Sequence, residues 1–387
     1  MYFSGFMNIL LLAFGFPVQY RALCCAAKSG AKVFVLGGER ASILRCSRYC
    51  ARYIPLDMIA QNGRVSPSSS ASPGVDLQLL KRQIENVASA FNIDIVLPCD
   101  SRATRLLSEI KDSLTVPVFP IPPTDTFDLL DDKWNFYRLC GQLGLPTPRT
   151  WLFQDAREAL SAIDAGLLPD RLIAKPLRSS GKRGQVLLTR ENVRGHLQSV
   201  NYSPVLIQEY IDGRDDVLTI FAIAGKTVAA SCHYRNGSAF FFSKNDAFLR
   251  YASSIAAQLR LDGVYCFDAR VKDNNEVYLL ETNPRMYISM NYDSIVGFNF
   301  VEIGLRNWDR FEGEPQLATG SVKVLRGTLK ALVTPWRIRR VDIELIRDRL
   351  SDPLAQLLDG VRLIFLRLPH RLRGLLRHIK PLRPLLE

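Results

Sequence analysis

Short apolar runs alternate with helically spaced stretches over the first third of the chain, and that alternation restricts the fold more than any other feature. Asn8 to Phe14, Lys32 to Leu36 and Asp94 to Pro98 read as strands, while Gln19 to Ser29 and Asp76 to Phe91 have helical spacing, with Gly30 placed as a stop. A helix between two strands is too long for a hairpin and makes a parallel crossover, which leaves the strands buried on both faces. Residues 1–119 are therefore expected to form a doubly wound α/β domain. Gly63 to Gly74, rich in Ser and Pro, reads as a surface loop within it.

Pro117, Pro120, Pro122 and Pro123 can continue neither a helix nor a central strand, so a domain link is expected near residue 120. A helix around Asp132 to Leu143 follows. Strand patterns then run over Leu172 to Lys175, Gln185 to Leu188, Val205 to Tyr210, Val217 to Ile223, Thr227 to Cys232, Val264 to Val271 and Glu276 to Glu281, with a helix at Asp246 to Leu259. This middle region reads as α+β and mostly antiparallel.

At 387 residues and 47% hydrophobic the chain has material for two or three domains. Its net charge of +12 favours anionic partners such as nucleotides, nucleic acid or acidic lipid. Half of that excess sits in residues 361–387, where Arg362, Arg367, Arg371, Arg373, Arg377, Lys380 and Arg383 face only Glu387. The eight cysteines form no CxxC pair or regular framework, as expected of reduced core thiols in a cytoplasmic protein. The apolar opening FMNILLLAF is far short of the ~20 residues of a membrane span and reads as a buried strand, with Met1 and Met7 both open as the start.

Two kinds of chemistry-bearing segment stand out. In Leu177 to Gly184 (LRSSGKRG), small residues let backbone N–H groups turn toward a phosphate and the cations add charge, although an ordinary hairpin loop has the same composition. Asp268 in YCFDARV and Glu281 in VYLLETNP close two apolar patterns joined by the turn Asp273-Asn274-Asn275, so they are expected to be hairpin neighbours on one face. Two such acids repel unless a divalent cation lies between them, and Asn283, two residues on, adds a neutral oxygen. Oxygen donors alone suit Mg²⁺ or Mn²⁺. Arg285 would clamp a phosphate or carboxylate beside them. From these residues alone, structural salt bridges of Asp268 and Glu281 to Arg270 and Arg285 remain equally open.

Taken together, SRYCARYIPL, LLDDKWNFYRLCGQLGLPTPRTW, LIAKPLRSSGKRG, LIQEYIDGRDD and FDARVKDNNEVYLLETNPR resemble, in order, the ATP-grasp superfamily and its branch similar to carbamoyl-phosphate synthase and biotin carboxylase. The resemblance runs over residues 7–305. It implies an ATP-grasp domain over residues 120–305, with two lobes hinged near 208–213; beyond it, the spacing of apolar and basic residues reads as a basic, mainly helical extension over 306–387. It implies that Lys133 and Lys175 contact ATP phosphates, that the loop with Ser179, Ser180, Gly181 and Gly184 folds over them, and that Gln208, Glu209, Tyr210 and Ile211 form the hinge. There, Glu209 and the backbone of Tyr210 and Ile211 would meet the adenine edge. Asp215 or Asp216 would reach the ribose or nearby basic groups; the family usually has Glu where Asp215 stands, which shortens the reach by one methylene. Asp268, Glu281 and Asn283 match the metal ligands, the first being commonly Glu in the family, and Arg285 matches an arginine near the reacting carboxylate.

The implied reaction is activation of a carboxylate by ATP to an acylphosphate and its attack by an amine or similar nucleophile, releasing ADP and phosphate, with small-molecule substrates, ATP and Mg²⁺ (or Mn²⁺) as requirements. The rival is a catalytically silent ATP-binding regulatory protein, against which stands the absence of any apolar replacement at the phosphate and metal positions. Nucleic-acid binding ranks last, because no module interleaves aromatic and basic residues. His233, Lys244 and the group Asp100, Ser101 and Arg102 are secondary candidates for the cleft, each with a plain structural reading beside it. In the extension, Pro369, Pro381 and Pro384 break any long helix, and three readings stay open: an anionic membrane surface, a protein partner, or packing on the chain's own body.

Overall fold

The structure, a computed structural model, describes residues 7–57, 75–179, 184–237, 239–307, 313–323 and 338–367. The Ser- and Pro-rich segment at 63–74, residues 1–6 and the basic stretch from 368 onward lie outside the described residues.

The first body is a parallel sheet. β1 (Asn8–Ala13), β2 (Lys32–Gly37), β3 (Cys50–Pro55) and β4 (Ile95–Pro98) lie in the order β3-β2-β1-β4. Between them run α1 (Pro17–Lys28), with proline in its first turn, and α2 (Leu77–Phe91), whose N-cap Asp76 accepts from the amides of Gln78 and Leu79. α3 (Ser101–Ile110) follows β4 with Asp100 as its cap. β3 and α3 carry no distinct signal in the sequence: β3 is an exposed or half-buried edge strand, and six of the ten residues of α3 are Arg, Ser, Thr or Glu.

The proline link leads into α4 (Thr124–Asp131) and α5 (Lys133–Gln142). It passes so close to the central sheet that a Cβ on Gly263, which has φ +105°, would stand 2.2 Å from the carbonyl oxygen of Pro120.

A small antiparallel sheet comes next, built from β5 (Thr150–Phe153), β6 (Leu172–Lys175), β7 (Val186–Leu188) and β8 (Val205–Glu209) in the order β5-β8-β6-β7. With α6 (Ala156–Asp164) and α7 (Val193–Gln198) it closes around its own core of Leu172, Ala174, Val205 and Ile207.

The central sheet holds β9 (Arg214–Ile223), β10 (Lys226–Asn236), β11 (Ala239–Phe242), β12 (Gly263–Val271) and β13 (Val277–Asn283), with α8 (Asp246–Leu259), α9 (Met290–Ile295) and α10 (Phe300–Asn307). Beyond residue 306 the chain still adds β14 (Gln316–Leu317) and β15 (Gly320–Lys323), giving the order β13-β12-β9-β10-β11-β15 with β14 beside β10. Those two short strands have no apolar run that announces them. α11 (Arg340–Ser351) and α12 (Pro353–Arg367) follow. One face of the central sheet packs on α5 and α8 through Leu218, Ile220, Tyr265 and Phe267. The other, through Phe221, Val264 and Cys266, shares one core with α1 of the first body.

Candidate functional site

The sheet pairing fixes the central geometry. Asp268 on β12 lies directly opposite Glu281 on β13, and Cys266 opposite Asn283. Side chains opposite each other on an antiparallel pair stand about 5 Å apart at Cβ, and like charges there destabilise the sheet. Burial first, and the Glu281 charge second, push the Asp268 carboxyl up to about 7, although Arg285 and Lys175 oppose the shift. Neither acid pairs as the structural alternative required. Arg270 goes to Asp215 at 3.2 Å, and Glu281 Oε2 lies 3.3 Å from Lys133 Nζ without a hydrogen bond from it or from any other group.

The cations come from the other elements. Lys133 stands at the start of α5, where Asp132 caps the helix by accepting from the amides of Trp134 and Asn135, and its Nζ donates to the Ser179 carbonyl at 2.9 Å. Lys175, 2% exposed, donates to Gln208 Oε1 at 2.7 Å, and Gln208 in turn donates to Thr150 Oγ1 at 3.0 Å. Burial holds the Lys175 ammonium down to about 8, with Glu281 pulling the other way. The two lysines, on different elements, thus converge on Glu281. Gln208 acts as the anchor of Lys175, and Thr150, which the sequence reading missed, anchors Gln208 through the β5-β8 pairing.

Arg285 donates to Ser101 Oγ at 2.9 Å, to Asn283 Oδ1 at 3.0 Å and to the Met286 carbonyl at 2.8 Å. Ser101, at the N-terminus of α3, therefore brings the first body to the site. Gln19 of α1 donates to Asp100 beside it. Asp131, another residue the sequence reading passed over in LLDDKWN, is raised by burial while Arg285, Lys133 and Arg178 lower it, so it is an acid among the site's cations.

Several expectations change. Asn283 was read as a metal ligand, but its Nδ2 faces Asp268 at 3.5 Å and its oxygen faces Arg285, so the amide bridges the two and has to turn over to offer oxygen to a cation. Glu209 was read at the adenine edge; its carboxylate is held by Arg149 at 3.0 Å. The Tyr210 amide donates to the Arg171 carbonyl, and the guanidiniums of Arg171 and Arg270 lie 4.3 and 5.1 Å from the centre of its ring. Asp215 and Asp216 point to opposite faces because they alternate along β9. Asp215 shares the face of Asp268, whereas Asp216 is buried with Arg214 on the helix-packed face and drops out of the site.

Ser179 and Gly184 flank the small-residue loop; Ser180 and Gly181 lie outside the described residues. Ser179 Oγ is buried without a partner. Lys244 is a solvated lysine paired with Asp246, and His233 is a core histidine packed on Phe240 and Phe242, held down to about 4 by burial.

Whether these residues fit a divalent cation is answered by the donor set. Two carboxylates face each other, all donors are oxygens, and a buried Glu281 oxygen has no hydrogen bond, an arrangement that a hard cation completes. Among the described residues no group of three or more His, Cys, Asp and Glu gathers, which suits Mg²⁺ held by two carboxylates and substrate phosphates.

A family profile described as ATP-grasp in the biosynthetic pathway with Ter operon matches residues 201–325, the stretch from the end of the small sheet to β15. Solved structures match over most of the chain. L-amino acid ligase from Bacillus licheniformis superposes with a TM-score of 0.57 at 16% identity, over 78% of this chain and 73% of that one. The chain carries an ATP-grasp fold. The biotin carboxylase domain of 2-oxoglutarate carboxylase from Hydrogenobacter thermophilus, solved with MgADP and bicarbonate, superposes on this ATP-grasp chain with a TM-score of 0.58 at 12% identity, over 82% and 74%. The large chain of carbamoyl phosphate synthase from Xylella fastidiosa is 24% identical over 232 residues, which is 53% of this chain. The chain spans about a fifth (21%) of the length of that relative. Among the described residues no helix is long and apolar enough to cross a membrane.

Proposed function

We propose that the chain is an ATP-dependent carboxylate–amine ligase. The observation that carries this reading is the Asp268–Glu281 pair, two acids set opposite each other in a sheet with Lys133 against one of them and Lys175 buried nearby. Burying like charges side by side costs stability that a purely structural role does not return. Lys133, Lys175 and Arg285 offset part of that charge, and a bound cation with its phosphates would complete the balance.

In this reading Lys133 and Lys175 bind the phosphates of ATP, Ser179 and Gly184 frame the loop over them, and Ile211 faces the base. Asp268 and Glu281 would hold Mg²⁺, with Asn283 as a third ligand once its amide turns; the cation supplies neutralisation of phosphate charge. Arg285, fixed by Ser101, orients the substrate carboxylate for attack on the γ-phosphate. Displacement of phosphate from the resulting acylphosphate by an amine then gives an amide and leaves ADP and phosphate. No enzyme nucleophile takes part; the residues act by positioning and by charge.

The test is ADP and phosphate release with ATP, Mg²⁺ and panels of carboxylic acids and amines, with the ligated product identified by mass. Release that needs both an acid and an amine supports the proposal. ATP binding without turnover across broad panels overturns it in favour of a silent nucleotide-binding protein.

A further inference from the structure

Among the described residues eight large apolar side chains stand exposed, and four of them, Ile343, Leu350, Leu354 and Leu357, fall within fifteen residues of α11 and α12. Leu350 is 70% exposed, Leu354 52% and Leu357 64%. Ile343 and Leu350 are seven apart on one helix, and Leu354 and Leu357 three apart on the next, so each pair shares a face. Three acids of the same hairpin are tied down instead. Asp342 pairs with Arg339, Asp348 with Lys28 of α1, and Asp352 accepts from the Tyr20 hydroxyl, Ser47 and the Arg48 amide. An ordinary surface helix turns its charge outward and its leucines inward. Here Asp348 and Asp352 tie the hairpin to the first body, Leu345 is buried, and Ile343, Leu350, Leu354 and Leu357 are left outside beside the exposed Glu344–Arg347 pair.

The chain that follows settles what meets this face. Residues 361–387 carry seven cations against one acid. We propose that α11 and α12 lie on an anionic lipid surface, with Ile343, Leu350, Leu354 and Leu357 entering the headgroup boundary and the following basic segment engaging acidic headgroups. A second copy of the chain would bring two segments of like charge together. A protein partner is disfavoured by the make-up of the patch, four aliphatic residues with none of the aromatics that enrich protein interfaces. A shallow aliphatic patch next to dense positive charge is the pattern of a segment that lies in the plane of a charged bilayer.

The experiment is co-sedimentation of the full-length chain with vesicles of phosphatidylcholine alone or containing phosphatidylserine, at low and high salt. Binding is expected only to the anionic vesicles, and it should weaken at least about tenfold at 1 M salt, where the Debye length is ~3 Å. The triple variant Leu350→Gln, Leu354→Gln, Leu357→Gln should lose at least about tenfold in partitioning. Its far-UV circular dichroism should be unchanged, and the single variant Leu354→Gln should show a smaller loss in the same direction. Three results would each overturn the proposal: no binding to anionic vesicles, binding undiminished in the triple variant, or a self-associated full-length chain that the triple variant renders monomeric.

Discussion

β1 buries five consecutive apolar residues, Ile9 to Ala13, each fully inaccessible, between helix layers of the parallel sheet. β12 is likewise flanked by strands on both sides, yet it sets Asp268 against Glu281 and follows it with Arg270. The first strand spends its sequence on packing. The second packs one face only as far as Cys266 and then gives way to charge, where burial pushes Asp268 up to about 7 and a Glu281 oxygen lies against Lys133 without a hydrogen bond. The difference separates a strand that stabilises the chain from one that prepares a site, and it predicts opposite responses to substitution.

The largest effect should come from β13. Glu281→Ala is expected to reduce ATP turnover by about 10³-fold or more, ~4 kcal/mol of barrier. Without nucleotide its thermal midpoint should change little, since relief of the repulsion with Asp268 is offset by the loss of Lys133's partner. Leu11→Ala in β1 should do the reverse, losing about 2–5 kcal/mol of stability in urea unfolding while the folded fraction keeps its turnover. Full turnover in Glu281→Ala would collapse the distinction and make the acid pair structural.

This contrast also explains what was legible in the sequence. β1, β2 and β4 are short, continuous apolar runs, and the acids in YCFDARV and VYLLETNP stand out because they interrupt such runs. The hairpin turn brings them together, and a bulge after Asp268, where Ala269 still pairs with Leu279, shifts the register so that Asp268 opposes Glu281 rather than Leu280. By contrast, the partners that orient the site come from distant segments: Thr150 reaches Gln208 across a sheet pairing, and Ser101 reaches Arg285 from another body. Nothing local marks Thr150, whereas Ser101 stands among the cleft candidates because it follows a strand end of an α/β sheet. Asp216 was misplaced for a related reason, since adjacent acids on a strand look alike until the pairing shows which faces Asp268.

A smaller effect, in pH dependence, tests the face that the two regions share. Asp293 on α9 accepts from Ser231 and from the Tyr287 hydroxyl at 2.7 Å, and burial raises it to about 7. A raised acid keeps its proton in the folded state up to about pH 7, whereas the unfolded chain loses it near 4. Folding therefore takes up a proton between those values, and stability falls as pH rises through that window, by at most about 1.4 kcal/mol per unit. His233, held down to about 4 from 6.5, contributes with the opposite sign, its stability being lost as pH falls through that range. Asp268, raised to about 7 as well, keeps contributing a fall with pH that His233 offsets, so Asp293→Asn should flatten the decline of stability between about pH 4 and 7, seen as unfolding midpoints across that range. An unchanged pH profile would show that Asp293 is ionised in the folded state.

The smallest effect probes the contact that joins the two regions. Ser101 belongs to the body whose strands only pack, and its single link to the site is the hydroxyl that accepts from Arg285 Nε. Ser101→Ala leaves the guanidinium held by Asn283 and the Met286 carbonyl, so the arginine stays but loses one of its restraints. A hydrogen bond from a charged guanidinium is worth about 1.5–3 kcal/mol, but two acceptors still hold Arg285, so roughly a two- to tenfold loss of kcat/KM for the carboxylate is expected. ATP affinity should not move, because Lys133 and Lys175 are untouched. A fall in ATP affinity equal to the fall in kcat/KM would mean that the hydroxyl holds the two bodies together rather than aiming Arg285. A loss confined to the carboxylate would show that the packing sheet reaches the chemistry through this one hydroxyl.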